Sequence, residues 1–90
     1  MEETETPFSE FLNLLRAGNP YVKVRNIPRD LDTDDVMQVF EVLVGRIQYI
    51  DVYRDIAVII FETASLAKQA VDTFDMGMMN GNQIFVTYEQ

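Results

Sequence analysis

The side chains best suited to chemistry in this chain are a few cations at strand-like spacing. Lys23 and Arg25 alternate with valines in Tyr21-Val22-Lys23-Val24-Arg25, and Arg54 opens the run Arg54-Asp55-Ile56-Ala57-Val58-Ile59-Ile60-Phe61. Alternate residues of a strand share a face, so these cations on neighbouring strands would make a short row able to hold phosphate oxygens. Solvated charge, or pairing with Asp51 and Asp55, accounts for the same residues more simply. The chain carries 15 Asp and Glu against 7 Lys and Arg, a net charge of −8, which repels a phosphate backbone unless the cations are gathered locally. With no His and no Cys, the usual general base near neutral pH, thiolate nucleophiles, disulfides and the commonest metal ligands are missing together. The chain is therefore read as non-enzymatic, with no catalytic, cofactor, metal or small-molecule site.

Two other patterns have plain structural explanations. The run from Asp30 through Asp32, Asp34 and Asp35 to Glu41 imitates a calcium loop, with carboxylates at the first, third, fifth and twelfth places. The sixth place, where such a loop needs glycine, is Asp35, and Val36 and Phe40 are needed in a helical stripe, so the run is better read as a charged helix start. Met76, Met78 and Met79 offer an adaptable thioether surface, or else Met79 fills the core while the others sit on a loop.

Short elements must position these groups. Residues 1–5 read as an acidic flexible tail, and residues 6–18 as a helix: Thr6 caps it, Pro7 suits its first turn, and Phe8, Phe11, Leu12 and Leu15 recur at i, i+3, i+4 and i+7. Gly18 and Pro20 end it. Tyr21 to Arg25 is a half-buried strand, broken by Asn26-Ile27-Pro28. A second helix from Asp32 or Thr33 buries Val36, Val39, Phe40 and Leu43 and stops at Gly45. Ile47 to Tyr53 and Ile56 to Phe61 form an antiparallel hairpin across Arg54-Asp55. A third helix from Ser65 turns Leu66, Ala67, Ala70, Val71 and Phe74 inward, Met76 to Asn82 is a loop, and Gln83 to Tyr88 is the last strand. A chain of 90 residues with 48% hydrophobic content holds one modest core, so 20–90 is expected to be a single βαββαβ unit. The apolar runs are too short to span a membrane, and MEETETPF is acidic where a signal peptide is basic. An intracellular protein, nuclear or cytoplasmic, is expected, with so small a module forming part of a longer chain.

This order and spacing resemble the RNA recognition motif family over roughly residues 21 to 88. Val22-Lys23-Val24-Arg25-Asn26-Ile27 is similar to the family's shorter RNP motif, and Arg54 to Phe61 to its longer one, with Val36, Phe40, Gly45, Ala67, Ala70 and Gly81 to Val86 in support. The resemblance implies an α+β, ferredoxin-like βαββαβ sandwich: a four-stranded antiparallel sheet with two helices on one face, here with an extra N-terminal helix. It also implies where bases would stack, on rings at the second position of the shorter motif and the third and fifth of the longer one. Here those positions are Lys23, Ile56 and Val58, and the glycine that normally follows the first basic residue is Asp55. Of the matched RNA-contact positions, only the cation Arg54 is retained.

Strand alternation turns Val22, Val24, Ala57, Ile59, Phe61, Ile84 and Val86 toward the helices, and Lys23, Arg25, Ile56, Val58, Ile60, Phe85 and Thr87 to the open face with Tyr49, Asp51 and Tyr53. An aliphatic side chain has no ring on which a base can stack, a contact worth about 1–3 kcal/mol, and a cluster of such side chains left in water marks an interface. The expected function is a protein–protein interaction module, dimerising or scaffolding within an RNA-processing or ribonucleoprotein complex, the RNA context coming from the resemblance alone. Its interface would be Ile56, Val58, Ile60, Phe85, Tyr49 and Tyr53, with Phe11 and Leu15 of the N-terminal helix, and its partner another protein subunit of the same or a different kind. That helix, on the linker Gly18-Asn19-Pro20, is the alternative cover for the sheet. The competing function is weak or indirect contact with single-stranded RNA through Lys23, Arg25 and Arg54, aided by Tyr21, Tyr49, Tyr53 or Phe85.

Overall fold

Local backbone chemistry sets the helix ends that the rest of the molecule is built on. The structure, a computed structural model, describes residues 7–90, with side chains from Ser9 onward; the acidic tail 1–5, the Thr6 cap and the Phe8 side chain lie outside the described residues. Helix α1 spans Pro7–Arg16 and closes at Gly18, whose φ of 93° suits a residue without Cβ. There the Gly18 N–H donates to the Leu15 carbonyl at 3.0 Å, and Asn19 donates to the Leu14 carbonyl from its backbone N–H at 3.2 Å and from its Nδ2 at 2.9 Å. Strand β1 is Tyr21–Arg25. Helix α2, Thr33–Leu43, begins in a reciprocal cap: the Asp32 carboxylate accepts the Asp35 N–H at 2.9 Å, and the Asp35 carboxylate accepts the Asp32 N–H at 3.1 Å. Two members of the calcium-like run are thus engaged in starting the helix.

Strands β2 (Ile47–Tyr53) and β3 (Ile56–Phe61) follow as a hairpin. Helix α3, Ala64–Phe74, is capped by Thr63, whose hydroxyl accepts the Leu66 N–H at 3.1 Å. Where the sequence predicts a loop over 76–82, a two-residue-per-strand hairpin forms between β4 (Met78–Met79) and β5 (Asn82–Gln83). Its turn, Asn80-Gly81, has φ of 50° and 96°, the paired left-handed conformation that tight hairpins require and Asn-Gly supplies. The last strand, β6, is consequently Phe85–Glu89, starting two residues later than expected.

The main sheet runs β2-β3-β1-β6, with each adjacent pair antiparallel. Val22, Val24, Ala57, Ile59, Phe61, Ile84 and Val86 face α2 and α3 and close a core with Val36, Phe40, Ala67 and Ala70. Phe40 is its centre, with ring centroids 4.4 Å from Phe74 and 6.3 Å from Phe61. Met79 is buried here, while Met76 and Met78 are exposed. One expected core residue is not in it: Leu43 is 58% exposed. The buried line of α2 runs Val36, Phe40, Val44 in steps of four, and Val44 rather than Leu43 packs against the core.

Candidate functional site

Strand register turns the open face of the sheet into three rows. The first reads Tyr53, Ile56, Arg25, Phe85 across β2, β3, β1 and β6, and the second Asp51, Val58, Lys23, Thr87. The third pairs Tyr49 with Ile60 and continues through Tyr21 and Glu89. A bulge between Ile47 and Tyr49 makes this possible: Ile47 packs on the core, and the extra residue Gln48 turns Tyr49 to the opposite side.

Helix α1 lies over the third row. The Phe11 ring stacks on Tyr49 at 5.3 Å and 25°, and meets Tyr21 edge-on at 5.3 Å and 81°. Beside that cluster Ile60 is 0% exposed and Tyr49 is buried, so two residues expected at an intermolecular interface lie beneath the chain's own helix. Four residues, Ala17 to Pro20, join α1 to β1, and α1 packs against β2. Leu15, expected beside Phe11, is half-buried. Burial raises the Tyr49 phenol above its ordinary value, and the carboxylates of Asp51 and then Glu10 push it the same way.

The first and second rows stay open beside α1. Ile56 and Val58 are half-buried, and with Phe11, Tyr49, Asp51 and Tyr53 they line an apolar groove of about 210 Å³. Tyr53 and Phe85 are exposed at opposite edges of the sheet, three strand spacings or ~14 Å apart. Lys23 and Arg25 stand between them on β1, while Arg54 sits at the hairpin turn with its guanidinium 5.3 Å from the Tyr53 ring centroid. Asp51 and Lys23 share a row but are separated by Val58, two strand spacings or ~10 Å. The arrangement offers an apolar floor with three cations and the carboxylate of Asp51 around it and a ring at each edge.

Asp55 departs from the family's glycine without backbone strain, because the positive φ in this turn, 60°, belongs to Arg54. Val39 and Leu43, both expected in the buried stripe of α2, line a second groove with Met78 that continues past Val42 and that sequence reasoning did not identify. The signal was available: Asp35, Val39 and Val42 repeat at i, i+4 and i+7 beside the core stripe.

A model of the RNA recognition motif matches residues 22–89. Among solved structures, the third RRM of Pes4 is similar with a TM-score of 0.73 and 21% identity, covering 78% of this chain and 90% of that one. An Rna15 RRM solved with bound RNA (GU) gives 0.73 and 15%, covering 78% and 82%. The RRM domain of S. pombe Puf1 gives 0.70 and 19%, covering 78% and 96%. At these identities the structural likenesses establish the fold. No curated protein matches the chain.

Proposed function

The chain belongs to the RNA recognition motif family, and from that membership and the chemistry of its open sheet face we propose that it is a non-catalytic protein–protein interaction module of an RNA-processing or ribonucleoprotein assembly. The observation that carries this reading is that the three base-stacking positions are Lys23, Ile56 and Val58, and that polypeptide, in the form of α1, already lies on the same face. Burying an aliphatic side chain the size of Ile60 contributes about 1.5–3 kcal/mol, and such a side chain has no ring on which a base stacks. Ile56 and Val58 continue that surface beyond α1 and supply the floor for a partner subunit, with Tyr53, Phe85, Phe11 and Leu15 around it and Lys23 and Arg25 as a charged margin. Recovery of bound protein from native extract tests this, using the tagged domain beside Val58→Glu and light scattering on each. The reading expects a stoichiometric partner, or a second copy, that is lost with Val58→Glu; the same proteins recovered by both would sink it.

A second reading is favoured by one observation: Lys23, Arg25 and Arg54 gather at the open face of a molecule of net charge −8, next to the exposed rings of Tyr53 and Phe85. On that reading single-stranded RNA crosses the first two rows, and Lys23→Glu weakens it at every sequence. Among the described residues no helix is long and apolar enough to cross a membrane. We take an intracellular setting, nuclear or cytoplasmic, as part of the proposal.

A further inference from the structure

The turn of the β4–β5 hairpin, Asn80-Gly81, places a reactive pair in the open. An asparagine side-chain amide is attacked at its carbon by the backbone nitrogen of the next residue, and the reaction needs that nitrogen free, uncrowded and able to swing into reach. Asn80 and Gly81 are both exposed, and a Cβ at Gly81 would meet nothing within 4 Å, so the nitrogen is uncrowded. The ladder pairs Met78 with Gln83 and Met79 with Asn82, which leaves the Gly81 N–H outside it. Strands of two residues each open locally at small cost, and opening frees the backbone between Asn80 and Gly81 to rotate. Asparagine occurs at five positions, and the structure holds the others back. Leu14, after Asn13, lies inside α1, where helical bonding commits its N–H, and Pro20, after Asn19, has none. Ile27, after Asn26, donates its N–H to the Asp55 carbonyl at 2.9 Å. Asn82 donates its own side-chain amide to the Asn26 carbonyl at 3.2 Å and is followed by the bulkier Gln83.

We propose that Asn80 is a site of spontaneous deamidation in the folded chain, closing a cyclic imide with Gly81 that water then opens. The Gly81 nitrogen gives up its proton and bonds to the Asn80 side-chain amide carbon; the amide C–N bond breaks, and ammonia leaves with that proton. Water adds to one of the two imide carbonyls and breaks its bond to the Gly81 nitrogen, with nothing oxidised or reduced. Opening at the side-chain carbonyl gives aspartate; opening at the backbone carbonyl gives isoaspartate, with an extra carbon in the main chain. Asn80 lines the second groove together with Met78 and Met79, so either product sets a carboxylate on the rim of that groove. The two products differ in the fold. Aspartate tolerates the φ of 50° held by Asn80, whereas a longer backbone does not fit a two-residue turn. Isoaspartate therefore opens the hairpin and loosens Met79, which is buried in the core.

Peptide mapping by mass spectrometry tests it on the full 90-residue chain, aged in mildly alkaline buffer with and without urea. The proposal expects amide-to-acid conversion at Asn80, in the folded chain, at least about tenfold faster than at Asn26 or Asn82. Both acid forms should appear, separable by their elution. Thermal unfolding and hydrogen exchange then follow the consequence. The aged isoaspartate fraction should melt below fresh protein and exchange the Met79 amide faster, while Asn80→Asp, which adds the carboxylate without lengthening the backbone, should melt with the fresh wild type. Conversion at Asn80 only in urea would overturn the proposal, since the folded turn would then hold the ring open. Equal rates at Asn80 and Asn82 would overturn it as well, and so would an isoaspartate fraction indistinguishable from fresh protein in melting and exchange.

Discussion

Ile56 and Val58 present methyl groups where a stacking sheet needs rings, and the consequences can be measured residue by residue. Val58 stands between Asp51 and Lys23 in its row, so a glutamate there meets one like and one opposite charge across the strands. Val58→Glu is expected to cost only about 1 kcal/mol in denaturant unfolding while removing the partner contact; a collapse of the fold would show that this face is part of the core. Tyr49 gives a pH signature. Its phenol is raised by burial, so the folded state favours the neutral form: the contribution is fully present below the ordinary value of 10.0 and is lost as pH rises through the higher folded value. Wild-type stability should therefore fall more steeply than that of Tyr49→Phe above pH 10.0, and parallel curves would show that the phenol stays accessible when folded.

At the scale of elements, the account turns on α1. Phe11→Ala removes two ring contacts and half-buried area, an expected loss of about 2 kcal/mol, and should raise hydrogen exchange at Ile60 and Tyr49 more than at Ile59, which faces the core. Gly18→Ala forces a side chain into a φ of 93° and should cost about 1 kcal/mol by loosening the same junction. Much of this architecture was legible in the chain. Alternation in Tyr21 to Arg25 and Ile56 to Phe61 sorted core from open face, and Asp32 and Gly18 marked helix ends. What was not legible depends on contacts outside any one segment. A bulge at Gln48 has no pattern of its own, and a stripe at period 3.6 does not decide between Leu43 and Val44 until the helix is docked. Asn80-Gly81 did signal a turn, but strands as short as Met78–Met79 show no alternation to read. Whether Phe11 would meet the chain's own sheet or another chain was undecided by its spacing, because both need the same apolar stripe.

Among the described residues, the open sheet face carries Lys23 and Arg25, with Arg54 at its hairpin turn, beside Asp51 and Glu89, so at the scale of the whole molecule this face is mixed in charge within a chain of net charge −8. Truncation to residues 20–90 would bare Ile60, Tyr49 and Tyr21 together, and the shortened domain is expected to self-associate in light scattering at concentrations where the full chain does not. The claim on which this depends is that the sheet face meets polypeptide and not bases. Its most direct test is an anisotropy titration of mixed-sequence single-stranded RNA at low salt, with wild type and Lys23→Glu side by side. The prediction is no submicromolar binding and little difference between the two proteins; submicromolar, salt-sensitive binding that Lys23→Glu abolishes would contradict it.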